Sequence, residues 1–168
     1  MSLPPVSFQP FDGPSVCLFC GASETADPAY AEAAYAFGRA TAQAGWRLVY
    51  GERLFDEVET VVVTSMHERK QLMYDQSDAF VVAPGGIGTL EEVVELLSWK
   101  RLDLHHKPVV FLNLNGFWDG FFALMRHSVN EGMTPPSFLD AWTVADTVED
   151  AWAQLQTPEA PQQRHDRR

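Results

Sequence analysis

The sequence predicts an α/β protein of three layers, a parallel sheet with helices on both faces. Three observations carry this. Short apolar runs alternate with longer segments whose apolar residues recur at helical spacing, as in strand–helix–strand units. The short runs are apolar throughout rather than alternating, as befits strands buried on both faces. Glycine-bearing turns follow several of the runs, at the carboxyl ends where such sheets bind ligands.

The elements follow in order. Val16–Cys20 is a short buried strand, and Gly21-Ala22-Ser23 turns the chain. Tyr30 to Ala44 has helical spacing, with Tyr30, Ala34, Phe37 and Ala40 or Thr41 on one side, and Gly45 is a natural stop. Leu48-Val49-Tyr50 and Val61-Val62-Val63, within Thr60–Thr64, read as strands. Ser65-x-x-Glu68 is a capping box, so a helix runs from there to Gln76. Ala79–Ala83 is a strand. The helix from Thr89 to Leu102 sets Leu90, Val93, Val94 and Leu97 toward the sheet. Pro108 to Leu112 is a strand, and Trp118 to Glu131 is a helix striped by Phe121, Phe122, Met125 and Val129 and ended by Gly132. Trp142–Ala145 is a last strand, and Thr147-x-x-Asp150 caps a helix to about Gln156. The order describes a Rossmann-like sheet. Residues 1–14 read as an extended arm, 15–156 as a single Rossmann-like domain and 157–168 as a flexible tail.

Bulk properties narrow the function. A chain of 168 residues holds one domain with a proper core. A formal charge of −11 argues against polymeric nucleic acid and against an acidic membrane surface. It does not exclude a small anion, because a nest of N–H groups overrides net charge locally. No apolar run approaches the ~18 residues of a membrane span, and the start lacks the basic and apolar regions of a signal peptide. Cys17 and Cys20 are the two cysteines. Their odd offset on a strand sends them to opposite faces, and no second pair completes a zinc site. Two small buried thiols in a reducing cytoplasm are expected. His67, His105, His106 and His127 lack metal-ligand spacing, and His105-His106 reads as a solvated loop pair.

The chemistry concentrates in Pro84-Gly85-Gly86-Ile87-Gly88-Thr89-Leu90-Glu91-Glu92, between a strand and a helix. Glycines let backbone N–H groups approach a ligand, and the helix start adds unpaired donors and the positive dipole end. Together these make an anion site, most often for phosphate. A carboxylate pair one turn into such a helix is electrostatically unwelcome unless it has a task. The alternative is that Thr89-x-x-Glu92 is only a capping box, and that Gly85 and Gly86 serve only a tight turn. In Ser65-Met66-His67-Glu68-Arg69-Lys70 two cations sit near a helix N-terminus, where each costs ~0.3–1 kcal/mol. They are either solvated or directed at an anion or carboxylate of the site.

In order along the chain, Phe19-Cys20-Gly21-Ala22-Ser23, Leu48-Val49-Tyr50-Gly51, Met66-His67-Glu68-Arg69-Lys70, the Pro84–Glu92 run, Ser98-Trp99 and Lys107-Pro108-Val109 resemble the LONELY GUY family. Its members are cytokinin riboside 5′-monophosphate phosphoribohydrolases, often mislabelled lysine decarboxylases. The resemblance runs from about Val16 to Gly132. It implies a nucleotide N-glycosidase with no cofactor and no metal, acting on a small-molecule nucleoside 5′-monophosphate, and a homodimer with the site near the subunit boundary. It makes Glu92 the catalytic glutamate and Arg69 its catalytic partner. It gives substrate binding to Gly85, Gly86, Gly88 and Thr89, with Lys70, Met66, Ser23 and Gly21 beside them. Two other readings stay open: an AMP nucleosidase without preference for prenylated adenine, and a non-catalytic carrier of a phosphorylated cofactor such as the molybdenum cofactor. Nothing in the sequence supplies a recognisable pyridoxal-binding lysine for a decarboxylase.

One departure from the family stands out. Its members continue after Leu-Val-Tyr-Gly with more glycines, a helix, another strand and an Ile-Pro turn. Here Gly51 runs directly into Glu52-Arg53-Leu54. A parallel crossover takes roughly a dozen residues or more, and the segment from Gly51 to Glu59 is shorter. Either one βα unit is absent from the chain, or residues are missing between Gly51 and Glu52.

Overall fold

The computed structural model describes residues 9–21, 23–51, 62–63 and 65–157. Strands β1 (Ser15–Phe19), β2 (Arg47–Val49), β3 (Ala79–Val82), β4 (Val109–Leu112) and β5 (Thr143–Ala145) alternate with helices α1 (Pro28–Gln43), α2 (Met66–Asp75), α3 (Ile87–Arg101), α4 (Asp119–Asn130) and α5 (Val148–Gln156), with α2 between β2 and β3. All four pairings are parallel and the order is β2-β1-β3-β4-β5. From β1 the chain goes to one side to form β2, then crosses back to pair β3 on the other side. The strand order thus reverses between β1 and β3, and a crevice opens at their carboxyl ends.

Side chains alternate across the sheet and feed two cores. Cys17, Phe19, Phe80, Val82, Val109 and Phe111 pack with Met73 of α2, Val93, Leu96 and Leu97 of α3, and Phe122 of α4. Val16, Leu18, Val81, Val110 and Leu112 pack with Ala33 and Phe37 of α1 and Ala151 and Leu155 of α5. These are the three layers the sequence implied. Cys17 belongs to the first core and Cys20 packs against the second, on opposite sides of the sheet. The chain stops at Gly45 and Gly132 also hold, both glycines taking left-handed φ values of +72° and +75°.

Four expectations need correction. Val62 and Val63 lie in no strand, and Val62 is 80% exposed; the rest of the anticipated Thr60–Thr64 strand, except those two valines, lies outside the described residues. Too little chain separates β2 from that segment for a parallel crossover, so α2 itself makes the crossover to β3. Helix α3 begins at Ile87 with Gly86 as its N-cap, not at Thr89. Thr89 is buried instead. Val94 is half exposed and Leu96 takes the inward place, because Thr89, Val93, Leu96 and Leu97 form the stripe that faces the sheet.

The fourth correction is His105, which is buried rather than solvated; His106 is exposed. Its Nε2 lies 3.0 Å from the Leu96 carbonyl and its Nδ1 accepts from the Lys107 N–H at 3.2 Å. The neutral Nε2–H tautomer satisfies both bonds; a second proton on Nδ1 would oppose the Lys107 N–H. Burial, the largest cause, pushes its pKa below the usual 6.5. A depressed folded-state pKa contributes stability that is present above the unfolded value and lost as pH falls through the folded one. Thermal unfolding of His105→Gln and wild type, followed from about pH 7 to about pH 5, should show wild type's advantage shrinking as pH falls. Parallel curves would mean that His105 titrates alike in both states.

Candidate functional site

The crevice between β1 and β3 is closed by two turns in contact. Ala83 N–H donates to the Phe19 carbonyl at 2.8 Å, and Gly21 N–H donates to the Pro84 carbonyl at 3.0 Å. The approach is tight enough to require glycine. A Cβ on Gly85 would fall 2.1 Å from Thr89 Oγ1 and 2.9 Å from the Gly21 nitrogen, and a Cβ on Gly21 would fall 3.0 Å from the Gly85 Cα. Gly86 and Gly88 differ: a Cβ on either meets nothing within 4 Å. Packing does not account for these two glycines, which line the open side of the turn. Gly86 caps α3 without a side-chain hydrogen bond, so the first N–H groups of the helix are available to an anion.

The second wall is α2. Ser65 caps it, its hydroxyl accepting from the Glu68 N–H at 3.1 Å. One turn in, Arg69 Nη2 donates to Glu92 Oε1 at 2.8 Å. Glu92 thus bonds across to α2, and among the described bonds none returns to the Thr89 N–H as a capping box would have it. The Glu92 side chain is 11% exposed and that of Arg69 28%. Arg69 Nε is buried and makes no hydrogen bond to the described residues. Gly51, after β2, passes over this helix: a Cβ there would lie 2.8 Å from Met73 Sδ and 3.5 Å from Arg69 Cζ. Lys70, next along, hydrogen-bonds both Glu91 and Glu95 of α3.

Below Glu92 lies Cys17. Burial, and after it the Glu92 carboxylate, raise its thiol well above the usual value, so it stays protonated. A groove beside Glu92 is walled by Phe19, Tyr74, Phe80, Leu96 and Trp99 and edged by Lys70 and Glu95. The structure thus brings Gly21, Gly85 and Thr89 into contact, and Arg69 with Glu92. Ser23 is turned onto Thr25, 2.9 Å between hydroxyls, and Met66 is half exposed at the start of α2. Glu95 and the aromatic groove were missed in the sequence. The spacing of Glu91 and Glu95, one helical turn apart opposite a cation pair, was the available signal.

Removing the Arg69 guanidinium leaves a largely buried carboxylate without this partner. Arg69→Ala should lower stability by about 1–2 kcal/mol, between the values for exposed and buried pairs. Denaturant unfolding checks this, and an unchanged midpoint would mean that the pair is energetically idle.

The order of strands, the helices on both faces and the crevice at the point of reversal place the chain among three-layer, Rossmann-like α/β proteins. A family profile described as "Possible lysine decarboxylase" matches residues 29–155. The cytokinin riboside 5′-monophosphate phosphoribohydrolase of Rhodococcoides fascians is 33% identical over 178 positions, covering 86% of this chain and 90% of its own. The phosphoribohydrolase of the same name, LOG7, from Arabidopsis thaliana is 32% identical over 154 positions, covering 72% and 71%. Among solved structures, the molybdenum cofactor binding protein of Rippkaea orientalis matches with a TM-score of 0.61 at 20% identity, covering 87% of this chain and 97% of its own; at that identity the likeness is of fold alone. The chain belongs to the family of that profile, the LONELY GUY proteins. The Rhodococcoides alignment spans 178 positions yet draws on 86% of 168 residues, so roughly thirty positions of that relative face no residue here. The shortfall is about the size of one βα unit.

Proposed function

We propose that the chain is a nucleotide N-glycosidase. It hydrolyses the bond between the ribose C1′ of a riboside 5′-monophosphate and an adenine-type base of the cytokinin kind, giving free base and ribose 5-phosphate. The observation that carries this reading is the placement of Glu92. A shielded carboxylate, oriented by Arg69 at 2.8 Å, stands one turn into a helix whose open N-terminus follows a glycine turn.

The 5′-phosphate binds the N–H groups of Gly86, Gly88 and Thr89 at the start of α3, where the dipole favours an anion. Gly85 and Gly21 let the two turns touch and so shape this cradle. Ser23 and Met66, both exposed, are assigned to substrate binding beside it. Binding the phosphate, remote from the bond that breaks, fixes C1′ beside Glu92. As the base leaves, positive charge grows on the sugar, as in glycoside hydrolysis. The Glu92 carboxylate stabilises that charge and orients or deprotonates the attacking water. Arg69 holds the carboxylate in place and contacts substrate through the exposed part of its side chain. No step calls on a metal or an organic cofactor. Chromatography of free base from AMP and from isopentenyl-AMP tests this. Faster release from the prenylated nucleotide supports the cytokinin reading, equal rates an AMP nucleosidase, and binding without release a carrier.

We place the active unit, residues 15–156, in the cytoplasm as a homodimer. Neither cysteine is in a disulfide, and among the described residues no helix is long and apolar enough to cross a membrane. The aromatic start of α4 does not supply the dimer face, because Trp118 and Phe122 are buried. Ile87 and Val94 of α3 and Leu102 at its end are exposed instead, and cyclic two-fold dimers are the commonest oligomer. Light scattering should return twice the 18.8 kDa chain mass; the monomer mass at micromolar concentration would remove the dimer.

A further inference from the structure

The first two turns of α2 and the first three turns of α3 bring five charges together. Arg69 meets Glu92, while the Lys70 ammonium donates to both Glu91 and Glu95. The Lys70 side chain is 12% exposed, so it is shielded between the helices. Glu91 and Glu95 lie one turn apart on α3, a spacing at which like charges repel. Both flank Glu92. Without a counter-charge they disfavour its ionised form and compete for Arg69. The bonds to Glu91 and then Glu95 raise the Lys70 pKa above its usual value, so the counter-charge is always present at neutral pH. Among the described residues, the other groups facing Glu92 are Arg69 from α2 and the protonated Cys17 thiol from β1, with the Tyr74 phenol lining the same groove.

An ammonium has three donors, and two of Lys70's are directed at carboxylates. A cation shared by two carboxylates carries a net negative surround, which is poor ground for a phosphate. We propose that Lys70 is a positioning residue: by holding Glu91 and Glu95 it leaves Arg69 to Glu92 and keeps Glu92 ionised, and it does not bind the substrate phosphate. This rests on the reading of Glu92 as the carboxylate that faces C1′.

The test combines a ¹³C carboxyl titration of Glu92, assigned with Glu92→Gln, and the pH profile of base release. Lys70→Met should raise the Glu92 pKa and the acid limb of kcat/KM together by roughly 0.5–1 unit, the effect of nearby like charges reduced by solvent screening. KM for the nucleotide should change by less than about twofold, since no ground-state contact is lost. The triple variant Lys70→Met/Glu91→Gln/Glu95→Gln should restore both values, because no uncompensated carboxylate remains. Glu91→Gln/Glu95→Gln, which keeps Lys70, should shift Glu92 the opposite way and serves if Lys70→Met folds poorly. A KM raised several-fold in Lys70→Met and not restored in the triple variant would make Lys70 a phosphate ligand and overturn the proposal, as would an unmoved Glu92 titration in all variants. If wild type cleaves no nucleotide, the N-glycosidase reading fails by itself, and the carboxyl titration still decides the role of Lys70.

Discussion

Glu92→Gln should lower base release by roughly 10²–10⁴, the usual size of an acid–base or electrostatic contribution, while the protein stays folded and still binds nucleotide. Glutamine has the same length, and its amide oxygen can accept the 2.8 Å bond from Arg69. What it lacks is charge. The sugar in the transition state is positive and the ground-state sugar is not, so the loss falls on kcat rather than KM. Glu92 does not cap its helix, since Gly86 does; the variant therefore leaves the start of α3 intact. Steady-state kinetics with a parallel melting curve check this. Wild-type turnover in Glu92→Gln would reduce Glu92 to one half of a structural ion pair.

The second large effect is at Gly85. A methyl group there meets Thr89 Oγ1 at 2.1 Å, Thr89 Cβ at 2.6 Å and the Gly21 nitrogen at 2.9 Å. Thr89 is buried and Gly21 N–H is tied to Pro84, so neither yields without opening the contact between the two turns. Gly85→Ala should cost about 1–3 kcal/mol as overpacking and remove nucleotide binding, because the cradle is displaced. Gly88→Ala is the informative contrast. No atom lies within 4 Å of its added Cβ, and alanine is the better helix former by up to ~1 kcal/mol. Stability should hold or rise while nucleotide affinity falls, since the methyl group enters the space assigned to phosphate. Denaturation and calorimetric titration of both variants check the pair. Unimpaired nucleotide binding in Gly85→Ala would mean that the anion site lies elsewhere.

Much of this fold was legible because a parallel strand buried on both faces has one simple signature. Val16–Phe19, Phe80–Val82 and Val109–Leu112 are apolar without interruption, and the structure places them side by side. Val61-Val62-Val63 carries the same signature without forming a described strand, because its link to β2 is too short for a crossover. Local composition alone cannot express that constraint. The start of α3 was misread for a related reason. Thr89-x-x-Glu92 has the letters of a capping box, but Thr89 is committed to the buried contact with the Gly85 turn and Glu92 to Arg69. The pairing of Arg69 with Glu92 joins residues 23 apart on two helices. Only the crossover of α2 over the sheet makes them neighbours, so no spacing along the chain announces it. His105 was misjudged because a histidine beside a second histidine looks solvated; its burial against Leu96 and Tyr74 depends on how α3 ends.

The central claim is that the Glu92 site breaks the glycosidic bond of a bound nucleotide rather than merely holding it. Excess wild-type protein, mixed with isopentenyl-AMP and quenched over time, tests this most directly through the products of a single turnover. The account predicts free base and ribose 5-phosphate in equal amounts, with no inorganic phosphate. Intact nucleotide recovered from the bound fraction, or phosphate released with the nucleoside left whole, would contradict it.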